Sequence, residues 1–262
     1  MKKLLSSVIL LALSAPVLAD DQFSLGAGFD YSSGKYGNAV STDILYIPVA
    51  AKYESDGLTL KLIVPYISVT GPGGVIQGFG RIALPMGGTG LGPMGAGGAS
   101  RTTNSGLGDV IAQAGYNFYS VDALSLDIVG KVKFGTADAN KGLGTGRNDY
   151  SAQLDGYYAL QDKTSLFATA GYKVVGAPTG IEVNNVAYSI LGVDQKLSDA
   201  ANAGVMFSAA QSATAVGSNQ QDVTLYVSRK LDRDLKIQAN VLKGFSDGSP
   251  DYGVGAMITG TL

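Results

Sequence analysis

The sequence predicts an all-β fold: a transmembrane, antiparallel, up-and-down β-barrel of about 12 strands. Three observations carry this prediction. Short segments alternate between apolar and small or polar residues, the connections alternate between tight and long, and the first residues resemble an export signal. Glycine accounts for 37 of the 262 residues, well above the average of about 7%, and it clusters between the alternating segments, as in turns.

The N-terminal residues have the features of a signal peptide. Lys2 and Lys3 precede an apolar run at 4–13, and short side chains stand at 17–19. The run is too short for a membrane-spanning helix of about 20 residues. We therefore expect 1–19 to be removed after Ala19, so that 20–262 is an exported barrel domain with 17 basic and 21 acidic residues, a formal charge of −4.

Twelve segments show the period of two that strands with two different faces require. In chain order they lie at 22–31, 43–54, 58–69, 107–119, 124–136, 149–160, 164–175, 186–197, 201–211, 222–230, 235–245 and 252–262. Most of these segments are close in length to the roughly 9–11 residues that a tilted strand needs to cross a bilayer.

The apolar face can be followed from segment to segment. In the first three segments it consists of Phe23, Leu25, Ala27, Phe29 and Tyr31, of Leu45, Ile47, Val49, Ala51 and Tyr53, and of Leu58, Leu60, Leu62, Val64 and Tyr66. In the next four it consists of Val110, Ala112, Ala114, Tyr116 and Phe118, of Leu126, Ile128, Val132 and Phe134, of Tyr150, Ala152, Leu154 and Tyr158, and of Leu166, Ala168, Ala170, Tyr172 and Val174. In the last five it consists of Leu191 and Val193, of Ala203, Val205, Phe207 and Ala209, of Val223, Leu225 and Val227, of Leu235, Ile237, Ala239 and Val241, and of Tyr252, Val254, Ala256 and Ile258.

The connections fall into two classes. One class is tight, at 54–57, 120–123, 160–163, 196–199 and 231–234, whereas the other is longer and rich in glycine. Short turns at one end and long loops at the other are typical of bacterial outer-membrane barrels, which also have an even number of strands. Pairing of the first and last strands would remove the open edges that lipid forbids.

Aromatic residues of the apolar faces lie near strand ends. Those beside short turns are Tyr53, Tyr116, Phe118 and Tyr158, and those beside long loops are Tyr31, Tyr66, Phe134, Tyr172, Phe245 and Tyr252. Two aromatic belts fit two membrane interfaces. A secreted β-sandwich also has alternating strands, but nothing in that fold selects for aromatic rings at both ends.

The opposite faces carry polar and charged residues, which are tolerated in a wet lumen and costly in lipid. They include Lys61, Asp109, Gln113, Asp127, Lys131, Lys133, Asp149, Gln153, Asp155, Lys173, Lys236, Gln238 and Asn240. We expect Asp109, Lys131 or Lys133, and Asp149 to cluster near the outer mouth, because opposite charges on neighbouring strands stabilise a sheet. Such a cluster could brace the wall or form a selectivity constriction, and charge alone does not separate these roles.

The stretch GLGTGRND at 142–149 resembles a phosphate-binding loop. A dinucleotide fingerprint needs a helix after the glycines, and a P-loop needs a Lys-Ser/Thr pair. The residues after Asp149 alternate with a period of two instead. We therefore interpret the stretch as the loop of a β-hairpin.

The connection at 71–106 is far longer than the others, with apolar residues among glycines and prolines. Loops beyond about 15 residues are uncommon without a function or disorder. The segment could form a plug or lid in the barrel, a patch at the mouth that captures apolar solutes, or a mobile surface loop. Candidate residues for plugging or capture are Val75, Ile76, Phe79, Arg81, Ile82, Leu84, Met86, Leu91 and Met94.

Composition argues against several classes of function. The chain has no cysteine and no histidine, so it has neither a disulfide framework nor the base on which membrane lipases and proteases depend. We expect no enzyme activity and no catalytic residues, no metal and no cofactor. The acidic balance also argues against nucleic-acid binding, which needs a basic surface.

Three motifs resemble a known family. SGLGDV at 105–110, VKFGTAD at 132–138 and GLGTGRNDYS at 142–151 are similar to the outer-membrane β-barrel transporters of the MetA pathway of phenol degradation. The resemblance implies a barrel of about twelve strands in the bacterial outer membrane, in contact with lipid, and passive passage of small hydrophobic or aromatic molecules. A pore that exports amyloid-type polypeptides and a closed structural or adhesive barrel stay open as alternatives, and a monomer is favoured.

Overall fold

The computed structural model describes residues 21–76, 80–81 and 101–262. Within these ranges no helix is long and apolar enough to span a membrane. The β-strands are β1 (Gln22–Gly34), β2 (Thr42–Ser55), β3 (Leu58–Gly71), β4 (Val75–Ile76), β5 (Gly80–Arg81), β6 (Thr102–Leu107), β7 (Ile111–Val121), β8 (Leu124–Lys133), β9 (Asp149–Gln161), β10 (Thr164–Val174), β11 (Val186–Ser198), β12 (Ala201–Ala210), β13 (Gln220–Lys230), β14 (Leu235–Gly244) and β15 (Tyr252–Thr261). A 3₁₀ turn, Ala139–Lys141, lies between β8 and β9.

The strands form a closed antiparallel barrel. Each wall strand pairs with its neighbour in the chain, and β1 pairs with β15 from Ser24↔Thr261 to Ser33↔Tyr252, which closes the wall. β6 and β7 both pair with β3, so together they count as one of 12 wall strands. The prediction of an all-β, up-and-down barrel of about 12 strands is confirmed.

The two ends of the barrel differ as expected. At the short-turn end, Asp56 and Gly57 join β2 to β3 with φ angles of 45° and 79°, the positive values that a tight hairpin turn requires. At the opposite, long-loop end, the connections run from 35 to 41, 72 to 101, 134 to 148, 175 to 185, 211 to 219 and 245 to 251.

The wall separates an apolar outer face from a polar lumen. On β3, Leu58, Leu60 and Leu62 are exposed on the outside, whereas Lys61 faces inward with Thr59. Outward residues such as Ile128 (55%) and Leu191 (59%) are more than half exposed. A soluble protein rarely exposes an apolar surface of this extent, so the outer face is suited to lipid, as the alternation predicts.

One stretch of the wall departs from regular pairing. Pro48 of β2 faces Pro65 of β3, and neither has a backbone N–H to donate. On the next strand, Ile63↔Ile111 and Tyr66↔Leu107 bracket one extra residue, which is a β-bulge at 108–110. Gly108 lies against Pro65, where a Cβ would come within 2.9 Å of the proline ring, and its N–H donates to the Pro65 carbonyl at 2.9 Å.

Two predicted boundaries differ from the structure. The segment expected as one strand at 107–119 is broken by this bulge, so Asp109 lies in the bulge and not on a strand. The loop expected at 71–106 ends earlier, because Thr102–Leu107 forms β6 and pairs with β3 from Gly71↔Thr102 onward. Near that edge Arg101 forms an ion pair with Asp43 of β2 and donates to the Thr70 carbonyl.

Candidate functional site

The lumen contains a cavity of about 270 Å³ below the long loops. Its lining combines apolar and polar residues. The apolar ones are Tyr46, Ile67, Ile76, Ile111 and Leu143, and the polar ones are Asp109, Lys131, Lys133, Thr145, Asp149, Ser151 and Lys173. Its volume is near the lower end of the range for ligand pockets, about 300–1,000 Å³, which suits a small molecule.

Lys133 is the centre of an ion cluster in this cavity. Its Nζ lies 2.7 Å from Asp109 Oδ2 and 3.4 Å from Asp149 Oδ2. Lys133 and Asp149 are register partners on β8 and β9, and the Asp149 side chain is only 5% exposed. Buried carboxylates of this kind need a partner, because their desolvation is expensive.

The same carboxylates also hold the long loops. Asp109 Oδ1 accepts from the Ala137 N–H at 2.9 Å, and Asp149 Oδ1 accepts from the Gly176 N–H at 3.0 Å. Lys133 donates to the Arg147 carbonyl at 3.2 Å. The cluster therefore ties the bulge, β8 and β9 to two loops, and the motifs SGLGDV, VKFGTAD and GLGTGRNDYS meet at this point.

The sequence predicts a cluster of Asp109, Lys131 or Lys133, and Asp149. The structure brings Asp109, Lys133 and Asp149 together. Lys131 lines the same cavity but, among the described residues, it has no carboxylate oxygen within 4.0 Å of its ammonium nitrogen. Lys61, Gln113 and Lys131 are register neighbours on β3, β7 and β8. The role of each of these residues in the passage of a solute through the barrel stays a prediction.

Asp127 and Asp155 lie closer to the short-turn end, facing each other on β8 and β9. Neutral donors satisfy both carboxylates. Asn117 donates to Asp127, and Thr169 donates to Asp155 at 2.6 Å. Gln153 donates to Asp155 at 2.8 Å.

Several inward tyrosines are absent from the predicted lumen residues. The Tyr188 hydroxyl donates to Gln153 Oε1 at 2.9 Å, and the Tyr226 hydroxyl donates to Asp194 Oδ2 at 2.7 Å. Tyr46 lines the cavity itself. The alternation along each strand could have identified them. Tyr188 lies three positions before the outward Leu191 on the same strand, and an odd spacing places the two side chains on opposite faces. The prediction treats aromatic residues only as interface anchors.

Two of the predicted plug residues lie across the mouth. Val75 (4% exposed) packs with Tyr36, Ile44, Ile67, Ala137 and Leu143. Ile76 (5% exposed) packs with Val175, Ile181, Val186 and Ala213. Phe79, Ile82, Leu84, Met86, Leu91 and Met94 lie outside the described residues, as does the side chain of Arg81.

The glycine-rich stretch at 142–149 belongs to a hairpin loop. Asp138 caps the 3₁₀ turn by accepting from the Asn140 N–H, and Gly142 ends it with φ 69°. The chain then enters β9, which pairs with β8 on one side and β10 on the other. A strand follows the glycines, where a dinucleotide-binding loop would have a helix.

Comparison with known proteins agrees with these features. A family described as "Putative MetA-pathway of phenol degradation" matches residues 49–261. No curated protein sequence matches the chain. Among solved structures, the COG4313 outer membrane channel from Pseudomonas putida F1 is similar with a TM-score of 0.69 and 11% identity, over 94% of this chain and 97% of that one. The KdgM porin (TM-score 0.54, 11% identity) and the NanC porin (TM-score 0.50, 10% identity) each match over 90% of this chain and 98% of their own.

Proposed function

Because the chain belongs to the family described as "Putative MetA-pathway of phenol degradation", we propose that it is a bacterial outer-membrane channel for the passive passage of small, hydrophobic or aromatic molecules. The barrel fold, which it shares with the outer membrane channel from Pseudomonas putida, supports a role as a channel. The family's description supports aromatic solutes.

The lumenal cavity is the observation that carries this proposal. It is about 270 Å³ in volume and has an apolar wall that includes Ile67, Ile76, Ile111 and Leu143. A cavity of roughly 150 Å³ with an apolar lining already binds benzene. One aromatic ring therefore fits here, whereas a folded polypeptide does not.

The apolar outer face supports a place in the outer membrane. With the usual orientation of such barrels, the short turns face the periplasm and the long loops face the outside. Residues 1–19 would direct export and leave the barrel at 20–262, although that segment lies outside the described residues. The partners are then the surrounding lipid and a small solute, and a monomer suffices to form the channel.

Solutes that enter from outside must pass β4. Val75 and Ile76 join apolar clusters on both sides of the mouth, so this strand obstructs the direct route to the cavity. The segment that begins at Val75 would act as a plug, and the apolar clusters would be its seat.

Single-channel conductance in a planar bilayer tests the proposal. The refolded protein is compared with a variant that lacks 75–99, and barrel formation of both is checked by circular dichroism and heat-dependent gel mobility. We expect small, infrequent current steps from the intact protein and larger, steady steps from the deletion variant. Folded but silent barrels in both samples would contradict a channel and favour a closed structural barrel.

A further inference from the structure

Four lysines lie on one row of register partners along the lumen wall. Lys52 of β2 faces Lys61 of β3, Lys61 faces Gln113 of β7, and Gln113 faces Lys131 of β8. The row continues through Ser151 of β9 to Lys173 of β10. We call Lys52, Lys61, Lys131 and Lys173 the lysine row.

The lysine row climbs through the barrel. Lys61 lies three residues after Leu58, the first residue of β3, whereas Lys173 lies nine residues after Thr164, the first residue of β10. Both strands start at the short-turn end, so the row rises by six residues, or about 20 Å along the strands. Strand tilt causes this rise, because hydrogen-bonded neighbours in a tilted barrel lie at different heights. The row therefore leads from near the short-turn end to the cavity below the mouth.

The positive charge of the row is only partly neutralised nearby. Lys52 pairs with Glu54 at 2.6 Å. Among the described residues, neither Lys61 nor Lys131 has a carboxylate oxygen within 4.0 Å of its ammonium nitrogen. The carboxylate of Asp155 attracts the ammonium group of Lys131 electrostatically from beyond that distance. Facing like charges, such as Lys52 and Lys61, destabilise a sheet, so bracing of the wall does not explain the row.

The cavity combines this charge with an apolar surface. Its lining includes Lys131 and Lys173 together with Ile67, Ile76 and Leu143. Lys133 also faces the cavity and forms ion pairs with Asp109 and Asp149, and Asp149 also acts electrostatically on Lys173. A ligand that uses both surfaces carries one anionic group on a small apolar ring.

We propose that the cavity and the lysine row select small carboxylates with an apolar ring, for which benzoate is the probe. This inference rests on the proposed channel function and names the solute class. A carboxyl group, with a pKa of about 4, is ionised at neutral pH, whereas a phenol, with a pKa of about 10, is not. Rings of lysine or arginine are also what anion-selective pores use.

The test combines ion selectivity with equilibrium binding. The protein is compared with a K61Q/K131Q variant and with K236Q, which replaces an inward lysine on β14 that is outside the row. Reversal potentials under a KCl gradient report ion selectivity, and calorimetry in detergent reports the binding of benzoate, phenol and acetate. Circular dichroism and heat-dependent gel mobility confirm that each variant folds.

We expect anion selectivity and benzoate binding in the unmodified protein and in K236Q. Phenol lacks the charge and acetate lacks the ring, so each should bind at least roughly tenfold more weakly than benzoate. The K61Q/K131Q variant should lose the selectivity and bind benzoate at least roughly tenfold more weakly.

Equal binding of phenol and benzoate would overturn the inference, and so would an equal effect of K236Q and K61Q/K131Q. If the barrels conduct but the double substitution changes neither readout, the channel stands and the solute class is wrong. If no barrel conducts, the channel function fails. The calorimetric comparison then still decides whether the lysine row binds the carboxylate.

Discussion

Val75 and Ile76 are adjacent in the sequence, yet their side chains pack on opposite sides of the barrel. Val75 belongs to the apolar cluster that contains Ile44 of β2, and Ile76 belongs to the one that contains Val186 of β11. These strands are six positions apart in the wall of 12, in the order β2, β3, β6 with β7, β8, β9, β10 and β11. Alternation of side chains along β4 therefore places one apolar contact on each side of the mouth.

Replacing both residues by serine should open the mouth. V75S/I76S removes apolar contacts from both clusters and leaves hydroxyl groups in places that exclude water, each of which weakens packing by about 1–3 kcal/mol. We expect a higher single-channel conductance without loss of the barrel.

V216S is the matched control, because Val216 is a loop residue that is 49% exposed. It should conduct like the unmodified protein. Unchanged conductance in V75S/I76S, with a folded barrel, would show that β4 does not obstruct the lumen.

The ion cluster of Lys133 should be a major source of stability at the long-loop end. K133M removes the ammonium group that lies within 4.0 Å of both Asp109 and Asp149, and Asp149 is the more buried of the two carboxylates. Removing one partner from a buried ion pair costs about 3–5 kcal/mol. We expect a loss of this order in the free energy of unfolding, measured by urea titration in lipid vesicles.

K196M provides the comparison. Lys196 pairs with Asp199 at 2.8 Å, but Asp199 is fully exposed in a short turn. Exposed pairs contribute little, so this variant should unfold at the same urea concentration as the unmodified protein. Equal midpoints for K133M and K196M would mean that the cluster does not support the fold.

The wall was predictable because lipid imposes a strict alternation. Leu58, Leu60 and Leu62 fixed the outward face of β3, and Lys61 then had to face inward. β6 was not predicted, because that alternation is absent from its sequence. Its residues, Thr102–Leu107, lie at the long-loop end, and five of the six are polar or glycine, so they carry no apolar alternation.

The site was only partly predictable, because its contacts depend on long-range geometry. Asp109 and Asp149 were expected beside a lysine from their positions on neighbouring strands, and that much followed from the sequence. Which lysine they would meet depends on the bulge at 108–110, which shifts the register between β3 and its partner by one residue. The place of Ile76 beside Val186 depends on the path of β4, and no local pattern encodes it.

Gly135 should be required for the loop that carries GLGTGRND. A Cβ at this position would lie 2.4 Å from the Arg147 nitrogen and 2.5 Å from the Gly146 carbonyl carbon. Both atoms belong to the backbone, so a side chain cannot simply rotate away. G135A should displace the loop and lower the free energy of unfolding by about 1–3 kcal/mol. Faster proteolysis of the loop would report the displacement.

The same substitution five residues earlier is a control. A Cβ added at Gly130 of β8 would meet no other atom of the described residues within 4 Å, so G130A adds a methyl group to open space. We expect no loss of stability and no change in proteolysis. A loss in G130A as large as that in G135A would show that the methyl group acts through strand propensity and not through the loop contact.

Alkaline pH should loosen the mouth through Tyr36. Burial raises the pKa of its phenol above the ordinary value, and a hydrogen bond from Ser32 offsets part of this increase. Because the pKa is higher in the folded protein, the stabilising contribution is complete below about pH 10 and is lost as the pH rises through the folded value. A phenolate is costly beside Val75 and Leu143. Conductance should therefore rise above about pH 10 in the unmodified protein.

Two tyrosine variants test this assignment. Y36F keeps the ring but cannot ionise, so it should lack the rise in conductance. Y66F changes an outward tyrosine that is 44% exposed, and it should retain the rise. A rise that persists in Y36F would assign the alkaline response to another group.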